Sequence, residues 1–165
     1  MGTLVKYGLI LAVGVIVWMF VMGFTGWYKH PILVNLFFLV IPFQVFLVVQ
    51  ALRETARRGA GYGEQIGAGV AISSIAAVLI FGASLLFTTV AFPHYFADIH
   101  AMQEKLMREA GLSEDRIAEV LARAEREYTP MSQAVQGFFG TVITGLVTAV
   151  IAGRWIRHRP EQVAA

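Results

Sequence analysis

Four stretches of this chain run without Asp, Glu, Lys or Arg for at least as long as a membrane crossing requires, and nothing else in the sequence constrains the fold so tightly. A helix rises about 1.5 Å per residue, so about 20 apolar residues cross about 30 Å of hydrocarbon. Lys6 and Lys29 bracket 22 uncharged residues, and Lys29 and Arg53 bracket 23. The third stretch, 65–97, is longer than a crossing needs, and Pro93 disfavours helix at Phe92 and ends it there. In the fourth, 128–153, Gln133 and Gln136 move the start of the membrane part to near Val135. The expected spans are therefore 7–27, 31–52, 66–91 and 135–153. Composition points the same way, because 57% hydrophobic against 15% charged residues leaves too few charges to coat a water-soluble domain of 165 residues. The expected fold is all-α, a four-helix transmembrane bundle forming one integral membrane domain over 1–165. The run after Lys6 exceeds the roughly 7 to 15 residues of a signal-peptide core, and no small-x-small cleavage site precedes Lys29, so it is expected to stay as an anchor.

Basic residues beside span ends resist translocation and set the orientation. Lys6, Arg53, Arg57, Arg58, Arg154, Arg157 and Arg159 fall on one side, against Lys29 in the other short loop. Both termini are expected in the cytoplasm, and the segment between spans three and four outside. That segment carries eight acidic and five basic residues from Asp98 to Glu127. A net charge of only +2, distributed in this way, describes topology and gives no footprint for nucleic acid. Trp27, Tyr28, Tyr95, Tyr128 and Trp155 fall at expected interfaces, while Trp18 lies mid-span.

The external segment reads as a helical hairpin over 94–129. Tyr95, Ile99, Met102 and Leu106 recur at helical spacing, as do Ile117, Val120, Leu121, Ala124 and Tyr128. Gly111 suits the left-handed position after the first helix, Ser113 the cap of the second, and Glu114 and Asp115 its positive end. Thr129 caps the next helix and Pro130 opens it. Glu104 with Arg108, and Glu119 with Arg123, are spaced as surface ion pairs. An isolated helix of about 15 residues is marginal, so the stripes must pack on something, either the membrane surface, a twin or an external partner.

Inside the bilayer, Gly137, Thr141, Gly145, Ala149 and Gly153 place a small residue at every fourth position of span four, and Gly69, Ser73 and Ala77 give span three a shorter row. Such rows let helix backbones approach closely where apolar burial itself gains little. They are expected to pack spans three and four together, or to serve self-association. Pro42 is expected to kink span two, with Gln44 resatisfying the freed carbonyl; these two residues also mark the one candidate pathway through the bundle.

Chemistry is sparse. Without cysteine there are no disulfides, thiolate metal sites or thiol nucleophiles. No ionisable residue lies at bilayer depth, where ion-coupled transporters place them. Gln44, Gln50, Ser73, Ser74, Ser84, Thr88, Thr89, Thr141, Thr144 and Thr148 are expected to bond between helices. Gly59-Ala-Gly61-Tyr-Gly63 lacks the preceding strand and following Lys-Ser of a phosphate loop, so no nucleotide cofactor is expected. His94, Asp98, His100 and Glu104 point different ways around a helix, so no metal is expected either.

With four spans, the connection Arg57-Arg-Gly-Ala-Gly-Tyr-Gly-Glu-Gln-Ile-Gly and a long helical insert before span four, the sequence resembles the bacterial family called domain of unknown function 4199 over nearly its whole length. The resemblance implies a bacterial inner-membrane protein and carries no reaction or functional residue. The leading expectation is a non-enzymatic protein of the lipid bilayer that assembles with itself or another membrane protein. The alternative is a small transporter or permeation pathway lined by Pro42, Gln44 and the span-three hydroxyls. An enzyme acting on lipid through His94, Asp98 and His100 is a third reading. Cysteines introduced singly at Gly61 and Gly111 test the topology. An impermeant maleimide added outside should label position 111 and spare 61, and the reverse would overturn the orientation.

Overall fold

The computed structural model describes residues 2–156. Arg157 and Arg159, used above for orientation, lie outside the described residues. Among the described residues six α-helices follow one another: α1 (Thr3–Thr25), α2 (Val40–Arg57), α3 (Tyr62–Leu86), α4 (Tyr95–Glu109), α5 (Glu114–Glu127) and α6 (Pro130–Trp155). No strand occurs among the described residues. Four segments are long and apolar enough to cross a membrane: Thr3–Thr25, Leu33–Arg57, Tyr62–Ala91 and Pro130–Trp155.

Each segment matches an expected span, with shifted ends whose causes are local. The second begins as a 3-10 helix, Leu33–Leu39, before α2. Asn35 returns its carboxamide to the carbonyls of Pro31 and Ile32 and so tightens that first turn. Pro42 stands in the first turn of α2, where a missing N–H costs least, so it marks the change from 3-10 to α geometry instead of kinking a continuous helix. The third span widens to a π turn over Phe87–Ala91, where the Phe92 N–H reaches the Phe87 carbonyl at 2.8 Å. Phe92 itself leaves the helix at φ −133°, ψ 67°, as the following Pro93 requires.

α3 packs against α1, α2 and α6, and its longest contact is with α6. The two small-residue rows meet there. A β-carbon on Gly145 would overlap the Ser73 side chain and come within 3.1 Å of the Gly69 carbonyl oxygen. One on Gly69 would strike the Ala149 side chain, and one on Gly153 would lie 3.2 Å from Gln65 Oε1. Ser73, Ala77 and Ala149 are fully buried. The row does not stay on α3 for its whole length, because nothing stands within 4 Å of where a side chain on Gly137 would begin.

Between the helices the centre is dry. Leu11, Ala12, Val15, Leu47, Ala76 and Ile80 form one buried cluster, and Val48, Ala51, Leu52, Ala68, Ile72 and Ala149 a second. Gln44, buried among them, donates to the Thr141 carbonyl at 2.6 Å and to Ser73 Oγ at 3.3 Å, joining α2 to α6 and α3. It does not serve the carbonyl freed by Pro42. The threonines expected to bond between helices turn back on their own: Thr88, Thr89, Thr141 and Thr148 each donate to the carbonyl four residues earlier.

α4 and α5 contact each other across a turn at Gly111, whose φ of +77° lies in the left-handed region, and the Leu112 N–H closes the turn on the Met107 carbonyl. Ser113 occupies the cap position of α5 without a side-chain bond. Arg108 bridges Glu104 on its own helix and Glu114 on the next. Glu119 pairs with Arg116 and Arg123 with Glu127, in place of the expected Glu119–Arg123 pair. Thr129 caps α6 as expected, exchanging hydrogen bonds with Ser132.

Replacing Gly145 by Leu overfills the α3–α6 seam and should cost about 1–3 kcal/mol, read as a lowered Tm in detergent. Gly137→Leu, eight residues away on the same row, should leave Tm nearly unchanged. Equal losses at both positions would contradict this division of the row.

Candidate functional site

At the α4 end of the spans the helices part around a cavity of about 530 Å³. Its base is the dry core itself, since Val15 and Ile80 belong to the central cluster and also line the cavity. Met19 and Met22 from α1 and Phe87 from the π turn form one wall, and Phe37 and Phe38 from the 3-10 segment another. Phe96, Ile99 and His100 of α4 cover the far end. Polar groups gather there too, from Gln103 on α4, Tyr128 after α5, and Gln133 and Gln136 in the first turns of α6.

Local sequence explains why this end is open yet held in shape. Trp18, the aromatic placed mid-span, donates its indole N–H to the Leu36 carbonyl at 3.1 Å and meets Trp27 edge-on. It thereby pins the 3-10 segment to α1. A side chain on Gly23 would collide with the rings of Phe87 and Phe92, so this glycine lets the aromatic cluster of Phe20, Phe24, Phe87 and Phe92 lie against α1. Phe37, Phe38, Tyr128, Gln136 and Gly137 are the exposed members of the lining, which puts the mouth between the 3-10 segment and the start of α6.

α4 is tied down by a polar latch. The Tyr28 hydroxyl donates to Asp98 Oδ2 at 2.7 Å, and Lys29 Nζ lies 2.9 Å from the same oxygen. Burial pushes the Asp98 carboxyl up, but the hydrogen bonds from Lys29 and Tyr28 and the Lys29 charge outweigh it, leaving the group below the usual carboxylate range. Burial, with the bond to Asp98, raises the Tyr28 phenol. The Asp98 bond raises the Lys29 ammonium.

The expected site residues divide between two places. Gly69, Ser73, Ala77, Gly145, Ala149 and Gly153 lie in or beside the α3–α6 seam, Thr141 supplies the carbonyl that Gln44 engages, and Gly137 opens onto the cavity. Of the three groups considered for lipid chemistry, Asp98 is held by the latch, His100 lines the cavity and His94 stands at the cap of α4. No three His, Asp or Glu side chains among the described residues come together as metal ligands. At the glycine-rich connection, Glu64 accepts from the Gly61 N–H at 2.8 Å. A carboxylate therefore stands where a phosphate loop would bind its anion. The cavity itself was not foreseen. Its signal was the face Phe96, Ile99, His100 and Gln103 on α4, which mixes rings with uncharged polar groups.

The latch predicts an acid sensitivity. Because Asp98 titrates lower in the folded protein, its stabilisation is complete above the ordinary carboxylate pKa of about 3.9 and is lost as pH falls through the lower folded value. Amide protection factors in α4 should hold between neutral pH and about 5 and drop below about 3.9. Asp98→Asn should show weaker protection throughout and a flatter acid response, whereas an unchanged acid profile in that variant would refute the latch.

Over residues 6–157 the sequence matches the model of a family described as protein of unknown function, DUF4199. No curated protein and no solved structure matches the chain.

Proposed function

The chain belongs to the DUF4199 family of proteins of unknown function, and from that premise we propose that it is a non-enzymatic membrane protein that holds an amphiphile and does not conduct a solute. In this reading the protein sits in the bacterial inner membrane with both termini cytoplasmic. The four spans form a bundle, and α4 with α5 forms an external hairpin of which α4 roofs the cavity. The observation that carries the reading is an opening about 530 Å³ in volume whose lining includes Val15 and Ile80, both members of the buried apolar core. A cavity of this size, mostly apolar with a few polar groups at one end, is the usual form of a small-ligand site.

The pathway alternative asks Pro42 and Gln44 to line a passage. Gln44 is instead buried, with its carboxamide committed to Thr141 and Ser73, and that favours holding over conduction. Assembly with a second copy or another membrane protein is retained as a second role at a different surface. The small-residue row is engaged by α3, so self-association through Gly145 and Ala149 would have to displace that helix. Leu106 and Val120 remain exposed beside a groove of about 400 Å³ between α4 and α5, and these suit an external partner.

Gentle detergent extraction followed by native mass spectrometry should find about one small amphiphile retained per chain, and proteoliposomes carrying the protein should keep an imposed ion gradient. Collapse of the gradient with no retained amphiphile would reverse the assignment in favour of a permeation pathway.

A further inference from the structure

Resting on the cavity reading above, the chemistry of the lining identifies the class of occupant. We propose that it is a single-chain amphiphile with an uncharged headgroup bearing both hydrogen-bond donors and acceptors, of the kind a glycerol or sugar head presents. Its chain enters sideways between the 3-10 segment and α6.

Charge is the first discriminator. No Lys, Arg, Asp or Glu lines the cavity. Lys29 and Asp98 neutralise each other within the latch, and Arg123 and Glu127, which line the neighbouring groove that shares Gln103 and Tyr128 with the cavity, are likewise paired. A phosphate, carboxylate or quaternary amine desolvated there would lack a counter-charge, and unpaired burial of an ion is strongly unfavourable. The polar end is built instead from carboxamides, a phenol and one imidazole. The side chains of His100, Gln103 and Gln136 make no hydrogen bond among the described residues, while Gln133 faces the Tyr95 hydroxyl. A carboxamide offers two donors and an acceptor, which is the complement of hydroxyls and carbonyls on an uncharged head.

Shape is the second. The apolar part of the lining is supplied by Met19, Met22 and Phe87 together with Val15 and Ile80 of the buried core. Methionine conforms to irregular apolar shapes, as a flexible chain requires. A volume of about 530 Å³ suits one ligand of modest size.

The third observation is Gly137. Its position opens onto empty space, so no helix approach demands a glycine there, yet it stands at the mouth. A side chain at this point would narrow the entry without striking the backbone of α3. Residues that tighten helix contacts elsewhere on the row thus give way here to one that keeps a doorway.

The full-length protein in detergent, titrated by native mass spectrometry with four probes sharing a 16-carbon chain, tests the assignment: 1-monopalmitoylglycerol, palmitate, palmitoyl-lysophosphatidylcholine and hexadecyltrimethylammonium. Monopalmitoylglycerol should bind at least about tenfold more tightly than the three charged probes, the equivalent of about one hydrogen bond. Gly137→Leu should abolish retention of all four while keeping the wild-type Tm. Met22→Trp, filling the cavity from the opposite wall, should do the same and provides the readout if the first variant fails to fold. Gln133→Leu should still bind but lose the preference. Equal or tighter binding of a charged probe, blocked by Gly137→Leu, would overturn the headgroup assignment and leave the cavity reading intact. Retention of every probe unaffected by both filling variants would overturn the cavity reading itself.

Discussion

At Gly145 the backbones of α3 and α6 approach so closely that Ser73 occupies the place a β-carbon would take. Everything else in the arrangement is referred to this contact. In hydrocarbon, apolar side chains gain little by leaving one neighbour for another, so helices associate where their surfaces interlock and their backbones meet. Gly69, Ser73, Gly145 and Ala149 supply that interlock, and α1 and α2 then pack on the pair. Gln44 adds a polar fastening at the same level, bonding to both helices of the seam.

Towards its first turns α6 keeps Val135, Phe138 and Phe139 beside Val78 and Phe81 of α3, while its small row turns to face elsewhere. Above Thr141 the small row no longer faces α3, and the space between α6, α1 and the 3-10 segment becomes the cavity. The aromatic cluster around Phe87 and the Trp18 bond keep that space from collapsing, while the Tyr28–Asp98–Lys29 latch holds α4 across its end. A dry, close-packed half and an open, partly polar half are thus two outcomes of one packing geometry. In the proposed reading, the open half receives a molecule and the packed half gives it no route onward.

The spans were legible because charge-free length is a one-dimensional property, and the lipid requirement for satisfied backbone bonds leaves helices as the natural solution. The α3–α6 seam was legible for a similar reason: four-residue spacing of small side chains can be read straight from the chain. Three features were hidden. Pro42 reads as a kink, yet a neighbouring 3-10 segment moved the start of α2 so that the proline falls harmlessly in its first turn. Threonines read as links between helices, whereas a hydroxyl in a helix finds its own carbonyl four residues back before it meets a neighbour. The cavity depends on where the small row of α6 ceases to face α3, and the row passes from Gly145 to Gly137 without any mark of that change. Only the uncharged polar residues at the head of α6 and on α4 hinted at it.

The central claim is that the open end of this molecule is a site shaped for a chain and not a flaw in packing. An experimental density map of the wild-type protein in a lipid nanodisc examines it directly. Elongated density should run from the mouth beside Gly137, past Met22, and end above Val15 and Ile80. A cavity closed by α6 settling onto the 3-10 segment, with Phe37 and Phe38 filling the space, would contradict the account.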